Sequence, residues 1–222
     1  MLSTDIRRCR ARDVSSRAGF TLIELSVILA LIGILVVLAA SAMTSWSDNQ
    51  RLASSVREVA SAFSYARGEA IRTGNIHLVM VESEADGTAL ASPVVVLDDG
   101  PPGTAGQNCK IDAGEDAVAF SLERGVSFGV SEATAKVPTD VGPGALGTST
   151  FEDAGGNAAS WVLLRPEGVP LAFSSDCSTG PTGTGGGGIY LTNGTRDVAV
   201  LLTPLGATRT HSWNVANAAW TQ

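Results

Sequence analysis

Glu24 is the one charged residue between Phe20 and Met43, and from Ser26 onward that stretch carries no charge at all. As a helix these 24 residues would extend about 36 Å at roughly 1.5 Å per residue, enough to cross a hydrocarbon core of about 30 Å. A charge inside such a segment costs about 2.5–3.5 kcal/mol on insertion scales, which makes it a functional candidate by default. A carboxylate among apolar helices needs a partner, and an ammonium is the natural one. Before the run stand Arg7, Arg8, Arg10, Arg12 and Arg17 against Asp5 and Asp13, so residues 1–19 carry +3. The remainder holds 10 basic and 20 acidic side chains, a charge of −10. A basic flank stays cytoplasmic, which directs the C-terminal bulk to the other side of the membrane.

Elsewhere the candidates for chemistry are few. His77 and His211 are the only histidines, neither stands in a metal-ligand spacing, and both read as strand residues. The Gly180–Gly188 stretch has no phosphate-loop Lys, and no Gly-x-Ser-x-Gly elbow occurs, so no cofactor motif and no catalytic constellation emerges. Asp98, Asp99, Asp112, Glu115 and Asp116 offer hard oxygens to calcium; a solvated acidic loop is the simpler reading. Cys9 lies in the basic leader, leaving Cys109 and Cys177 as an even pair in an oxidising compartment. One disulfide closing a long loop is the favoured reading, and two free thiols the alternative. Nucleic-acid affinity rests on clustered Lys and Arg. Arg196 and Arg209 are the candidate contacts, a thin patch against −10, and pairing with Asp197 or nearby acids is their other role.

These groups require elements to hold them. Leu52, Val56, Val59, Phe63, Ala66 and Ala70 recur at intervals of four and three, so the helix continues past the apolar run with one apolar face. Arg51, Arg57, Glu58, Arg67, Glu69 and Arg72 take its other faces, and Gly74-Asn75 stops it. The spacing predicts one helix from about Leu22 to Thr73. A coiled coil is the competing reading, disfavoured by small Ala at several of the six positions. After Gly74 the chain turns to short β-rich runs: Ile76–Val81, Pro93–Leu97, Ala117–Leu122, Val126–Val130, Ser160–Leu164, Val169–Ser174, Gly188–Leu191, Val198–Leu202 and Thr208–Val215. Asn193-Gly194 between two of them is a hairpin signal. Two segments read as unstructured, Ser131–Asn157 and the Gly-rich Ser178–Gly187.

Gly19 followed by Phe20-Thr21-Leu22-Ile23-Glu24, after a basic leader and before an apolar helix, resembles a type IV prepilin processing site. The resemblance implies that a prepilin peptidase cuts between Gly19 and Phe20 and methylates the new Phe20 amine. It further implies that Glu24 docks against a neighbouring subunit's Phe20 amine. The remaining layout resembles the GspH/FimT group of minor pilins and pseudopilins. Arg165-Pro166-Glu167-Gly168-Val169-Pro170-Leu171-Ala172-Phe173 is similar to that group's turn and following strand. Gly188–Leu191, Arg196–Val200 and Pro204-Leu205-Gly206-Ala207-Thr208-Arg209 are similar to its C-terminal hairpin and end. DNA-binding members carry Gly-Arg-x-Arg there, whereas this chain has only the second arginine, Arg209.

The expected fold is therefore α+β and pilin-like: a long N-terminal helix, transmembrane in its first half, packed on a C-terminal antiparallel β-sandwich. Its segments are a cleaved leader at 1–19, a transmembrane and assembly helix at 20–44, an amphipathic continuation at 45–74 and a periplasmic β-rich domain at 75–222. The expected function is that of a non-enzymatic minor pseudopilin of a type II secretion system, anchored once in the inner membrane. Its partners are other pilins or pseudopilins, the prepilin peptidase and secreted cargo, with nucleic acid disfavoured. A type IV minor pilin that primes pilus assembly or binds DNA is the first alternative. A membrane-anchored extracytoplasmic binding or enzyme domain is the second. Ala40-Ser41-Ala42 also fits a signal-peptide cleavage site, and Arg7-Arg8 a twin-arginine signal set far from its apolar run.

Overall fold

Helix α1 runs from Leu22 to Thr73, as the periodicity predicts. The computed structural model describes residues 19–104 and 106–222, with backbone alone for 38–42, and the leader through residue 18 lies outside the described residues. At the helix start, Thr21 Oγ1 accepts the Glu24 amide at 3.2 Å, the first half of a capping box that the Thr-x-x-Glu spacing encodes. At its end Gly74 adopts φ +75°, and its N–H reaches the Ala70 carbonyl at 3.0 Å. A left-handed residue at this point costs an L side chain energy and glycine nothing, so the helix stops here.

The chain divides into two units, residues 1–44 and 45–222. In the first, every described side chain is exposed, with Phe20, Leu22, Ile23 and Val37 all more than 70% accessible. A spanning first half is not met among the described residues, where no helix is long and apolar enough to cross a membrane.

Among the described residues the second unit builds its sheets from twelve strands: β1 (His77–Ser83), β2 (Ala89–Asp98), β3 (Ala117–Phe120), β4 (Ser127–Phe128), β5 (Phe151–Glu152), β6 (Ala158–Ala159), β7 (Trp161–Leu164), β8 (Pro170–Leu171), β9 (Gly187–Thr192), β10 (Asp197–Leu202), β11 (Thr208–Asn214) and β12 (Ala219–Thr221). One five-stranded sheet has the order β3-β2-β1-β7-β8, a second β12-β11-β10-β9-β4, and β5 with β6 forms a small hairpin. All the described pairings are antiparallel. The Asn193-Gly194 signal is the β9–β10 hairpin, with Gly194 at φ +85°.

Strand alternation decides which side chains meet the helix. Val79, Val81, Val94, Val96, Val162 and Leu164 from the first sheet, and Ile189, Leu191, Val200 and Leu202 from the second, share one core with Leu52, Val56, Val59, Phe63, Ala66 and Ala70. All six periodic helix positions are buried, so burial and not intrinsic propensity holds this half of the helix. Truncating Phe63 to Ala there should cost about 3–5 kcal/mol. The opposite face of the first sheet carries Leu78, Met80, Leu97 and Leu163, packed with Leu171, Phe173 and the two cysteines. The opposite face of the second sheet, Tyr190, Ala199 and Leu201, is covered by Val137 and Trp220. Solvent reaches the outer faces at Ala117 and Ala119 of β3 and at Arg209 of β11, and the centres of both faces are covered.

The two segments read as unstructured are ordered, and tertiary contacts are the reason. In 131–157, the buried Asp197 carboxylate accepts the amides of Ser131, Glu132 and Ala133 at 2.6–3.1 Å. Burial pushes its pKa up, but the Thr192 hydroxyl and these amides outweigh burial and hold it below the ordinary carboxylate value. Farther along, Tyr190 Oη donates to Asp140 at 2.7 Å, and Lys136 Nζ donates to the carbonyls of Gly142 and Gly144. The same segment contains strand β5 and the turn that leads into β6. In the Gly-rich stretch, a Cβ on Gly185 would stand 2.2 Å from the Pro170 backbone, and one on Gly187 2.6 Å from the Phe151 ring. The glycines therefore permit close packing rather than freedom. Strand β12 was likewise not expected, and β4 and β8 are shorter than their apolar runs.

Candidate functional site

Three groups of side chains deserve a functional account, and the first is the amino-terminal end of α1. Gly19 and Phe20 are exposed, non-helical residues, and a Cβ on Gly19 would meet nothing within 4 Å. Glu24 follows in the first helical turn, exposed, where a negative charge suits the helix dipole by about 0.3–1 kcal/mol. The sequence carries this cap openly in Thr21-x-x-Glu24, a signal that concerns the helix and not its partners. Leu22, Ile23, Leu25, Val27 and Ile28 lie exposed around Glu24, and the exposure continues to Val37. An apolar surface on every side of a helix is stable only when lipid or protein covers it.

The second group is a groove of about 340 Å³ in the second unit, floored by Leu52, Ala53, Val56 and Val198. Arg57 of α1 and Arg196 of the β9–β10 loop line it, together with Thr210 and Ser212. Among the described residues neither guanidinium has an ion-pair partner. Arg209, read with Arg196 from the sequence, does not join it. It faces Leu201 on β11 and lines a separate cavity with Asp140 and Pro204. Arg57 was missed because a helix position outside the apolar stripe reads as solvated face; only the fold sets it beside Arg196.

The third group is the loop behind the first sheet. Cys109 and Cys177 are joined across 68 residues, with Cα atoms 5.5 Å apart. On loop entropy alone this closure stabilises by about 4 kcal/mol. Fully buried Asp99 lies beside the bridge and accepts the amides of Asn108 at 3.2 Å and Cys109 at 3.0 Å. Burial pushes its carboxyl up to about 6, the two amides oppose the shift, and Glu115 and Asp112 add to it. The other acids of this region disperse. Asp98 accepts from Asn75 and Gly100, and Asp112 from Asn108. Among the described residues no three of the five carboxylates converge on one ion. His77 and His211 are buried strand residues in β1 and β11.

Asp99 gives a pH dependence with a definite sign. Its folded pKa lies above the unfolded value near 3.8. The folded state thus binds more proton between about pH 4 and 6, and stability falls as pH rises through that window. A rise to about 6 corresponds to roughly 3 kcal/mol lost above it. Asp99→Asn keeps an oxygen for the two amides and removes the titration. Urea unfolding at pH 4 and pH 7 should show the variant gaining on the parent by roughly that amount at the higher pH. Equal slopes in the two proteins would assign the pH dependence elsewhere.

Residues 14–40 match the family model for the prokaryotic N-terminal methylation motif, a type IV prepilin-like signal. That match covers the Gly19-Phe20 junction and Glu24, and it supports a type IV pilin-like protein. No curated protein and no solved structure matches the chain.

Proposed function

We propose that this chain is a minor pseudopilin of the GspH/FimT type, a non-enzymatic subunit of a type II secretion system. The observation that carries the reading is an apolar helix exposed on every side, with one carboxylate in its first turn, inside residues matching a methylation motif. In the precursor the segment 20–44 inserts in the inner membrane, with residues 45–222 in the periplasm. After cleavage at Gly19 the same apolar surface packs among neighbouring subunits, and Glu24 meets a Phe20 ammonium. The β-rich domain then supplies the face that meets other pseudopilins or cargo. Deleting the chain from its host should abolish secretion of exoproteins and leave surface pili intact.

One observation favours the rival reading, a type IV minor pilin that takes up DNA. Arg57 and Arg196 line one groove without acidic partners, which suits a phosphate. Against it stands the −10 charge of residues 20–222. Loss of piliation or transformation with normal secretion in the deletion strain would favour this second reading.

A further inference from the structure

The groove floored by Leu52, Val56 and Val198 sets apolar surface beneath two exposed guanidiniums, Arg57 and Arg196, that have no ion-pair partner among the described residues. A nucleic-acid backbone would satisfy the arginines and leave the floor wet. An occupant that fits both offers carboxylates beside an apolar side chain. The chain carries such a segment itself, in the loop 111–116 that leads into β3. Ile111, Asp112, Ala113 and Asp116 are exposed there, Ile111 at 37%. Among the described residues neither aspartate has an ion-pair partner, and the adjoining cation, Lys110, is held by Asp86 at 3.0 Å. The loop is also shaped in advance. Its Asp112 amide donates to Glu115 Oε2 at 2.9 Å, and its Ile111 amide to Glu84 Oε2 at 3.1 Å. A segment already folded loses little freedom when it binds.

The two surfaces lie toward opposite ends of α1 within the second unit. The groove is lined by helix residues 49–60, whereas Asp116 shares a cavity with Glu69 and Arg72 near the helix end. From Arg57 to Arg72, 15 residues, the helix rises about 22 Å. The loop of one copy is thus out of reach of its own groove and available to another's. We propose that loop 111–116 of one copy seats in the groove of a second copy. Ile111 and Ala113 lie on the floor, and the carboxylates of Asp112 and Asp116 meet the guanidiniums of Arg57 and Arg196. Unlike surfaces that pair in this way make a head-to-tail contact, which repeats as an open helical array when the rotation does not close. Six residues in one groove bury far less than the roughly 1,600 Å² of a standard interface. The contact therefore orients neighbours that the apolar helix already holds together. Its place in a filament rests on the pilin-like reading proposed above; the contact between two copies does not.

The test uses the full-length chain in detergent, with the photocrosslinker p-benzoylphenylalanine in place of the exposed Ala113. Illuminating a mixture of isotope-labelled and unlabelled chain should give mixed-isotope peptides that join position 113 of one copy to residues 49–60 or 196–212 of the other. Arg57→Glu with Arg196→Glu should lower that yield about tenfold or more, because like charges then face each other. Asp112→Lys with Asp116→Lys should do the same. Reversing all four charges in one chain should restore the yield to within about twofold of the parent, a recovery that misfolded variants could not give. Crosslinks that fall elsewhere on the second copy overturn the contact. So does a yield indifferent to either reversal, or a four-charge variant that stays as low as the pairs. A parent that retains a duplex oligonucleotide through Arg57 and Arg196 at physiological salt, with no crosslink from position 113, gives the groove to phosphates and overturns it too. Normal secretion in the deletion strain would cost the filament reading and leave the crosslink standing; a missing crosslink with secretion abolished would do the reverse.

Discussion

Mass spectrometry of the membrane-extracted chain is expected to find its amino terminus at Phe20, carrying one methyl group. Three facts meet at this position. The Gly19-Phe20 junction lies within the matched methylation motif. Both residues are exposed and precede the first helical residue, Leu22, so the bond is presented in non-helical, accessible chain. And a side chain at Gly19 would collide with nothing. Replacing Gly19 by Leu should therefore leave the fold untouched and the precursor nearly all uncleaved, because the requirement for glycine belongs to the enzyme that cuts there. A terminus near Met43, after Ala40-Ser41-Ala42, would instead make the segment a signal peptide and remove the pilin-like reading. Efficient cleavage of Gly19→Leu would show that the cut falls elsewhere.

Glu24→Ala is expected to spare insertion and processing and to abolish incorporation into a filament. In lipid the carboxylate is an expense without return; beside a neighbour's Phe20 ammonium both desolvated charges are compensated. Removing one partner leaves the other buried and unpaired, at about 3–5 kcal/mol, more than a hundredfold in the population of docked subunits. The local contribution to the helix start is far smaller, about 0.3–1 kcal/mol. Glu24→Gln keeps the size and polarity of the side chain and lacks the charge, while the Thr21 cap on the residue-24 amide survives in every variant. Crosslinking between neighbouring subunits should fail for both variants and recover in part for Glu24→Asp. Normal assembly of Glu24→Gln would reduce Glu24 to a helix cap and move a plain membrane anchor ahead.

The parts legible in the sequence are those set by local rules. Apolar spacing at 52–70 and a glycine able to take positive φ at 74 define the helix. Residue preference and turn chemistry define the longer strands. An even number of cysteines after residue 19 points to the pair that the structure joins. The illegible parts are tertiary. A two-residue strand such as Phe151–Glu152 has no period to detect. The Gly185–Gly188 run has the composition of a linker, yet each position faces an atom closer than a Cβ allows. Asp99 reads as one of two adjacent acids; nothing in Asp98-Asp99 says that one turns toward the helix side and the other into the loop core. Arg57 and Arg196, 139 residues apart in sequence, become neighbours only through packing.

The margins of the two sheets carry a consequence for crowding. Each ends in a strand of at most four residues: β3 with four and β8 with two, β12 with three and β4 with two. Such short rims offer a neighbour little edge to pair with, although β2 at 89–93 and β11 at 208–211 continue past β3 and β12. Subunits held side by side at very high local concentration would otherwise polymerise through their β-structure, a route that ends in amyloid. In the proposed filament that arrangement would leave association chiefly to the helix, and a departing subunit would keep its β-structure to itself.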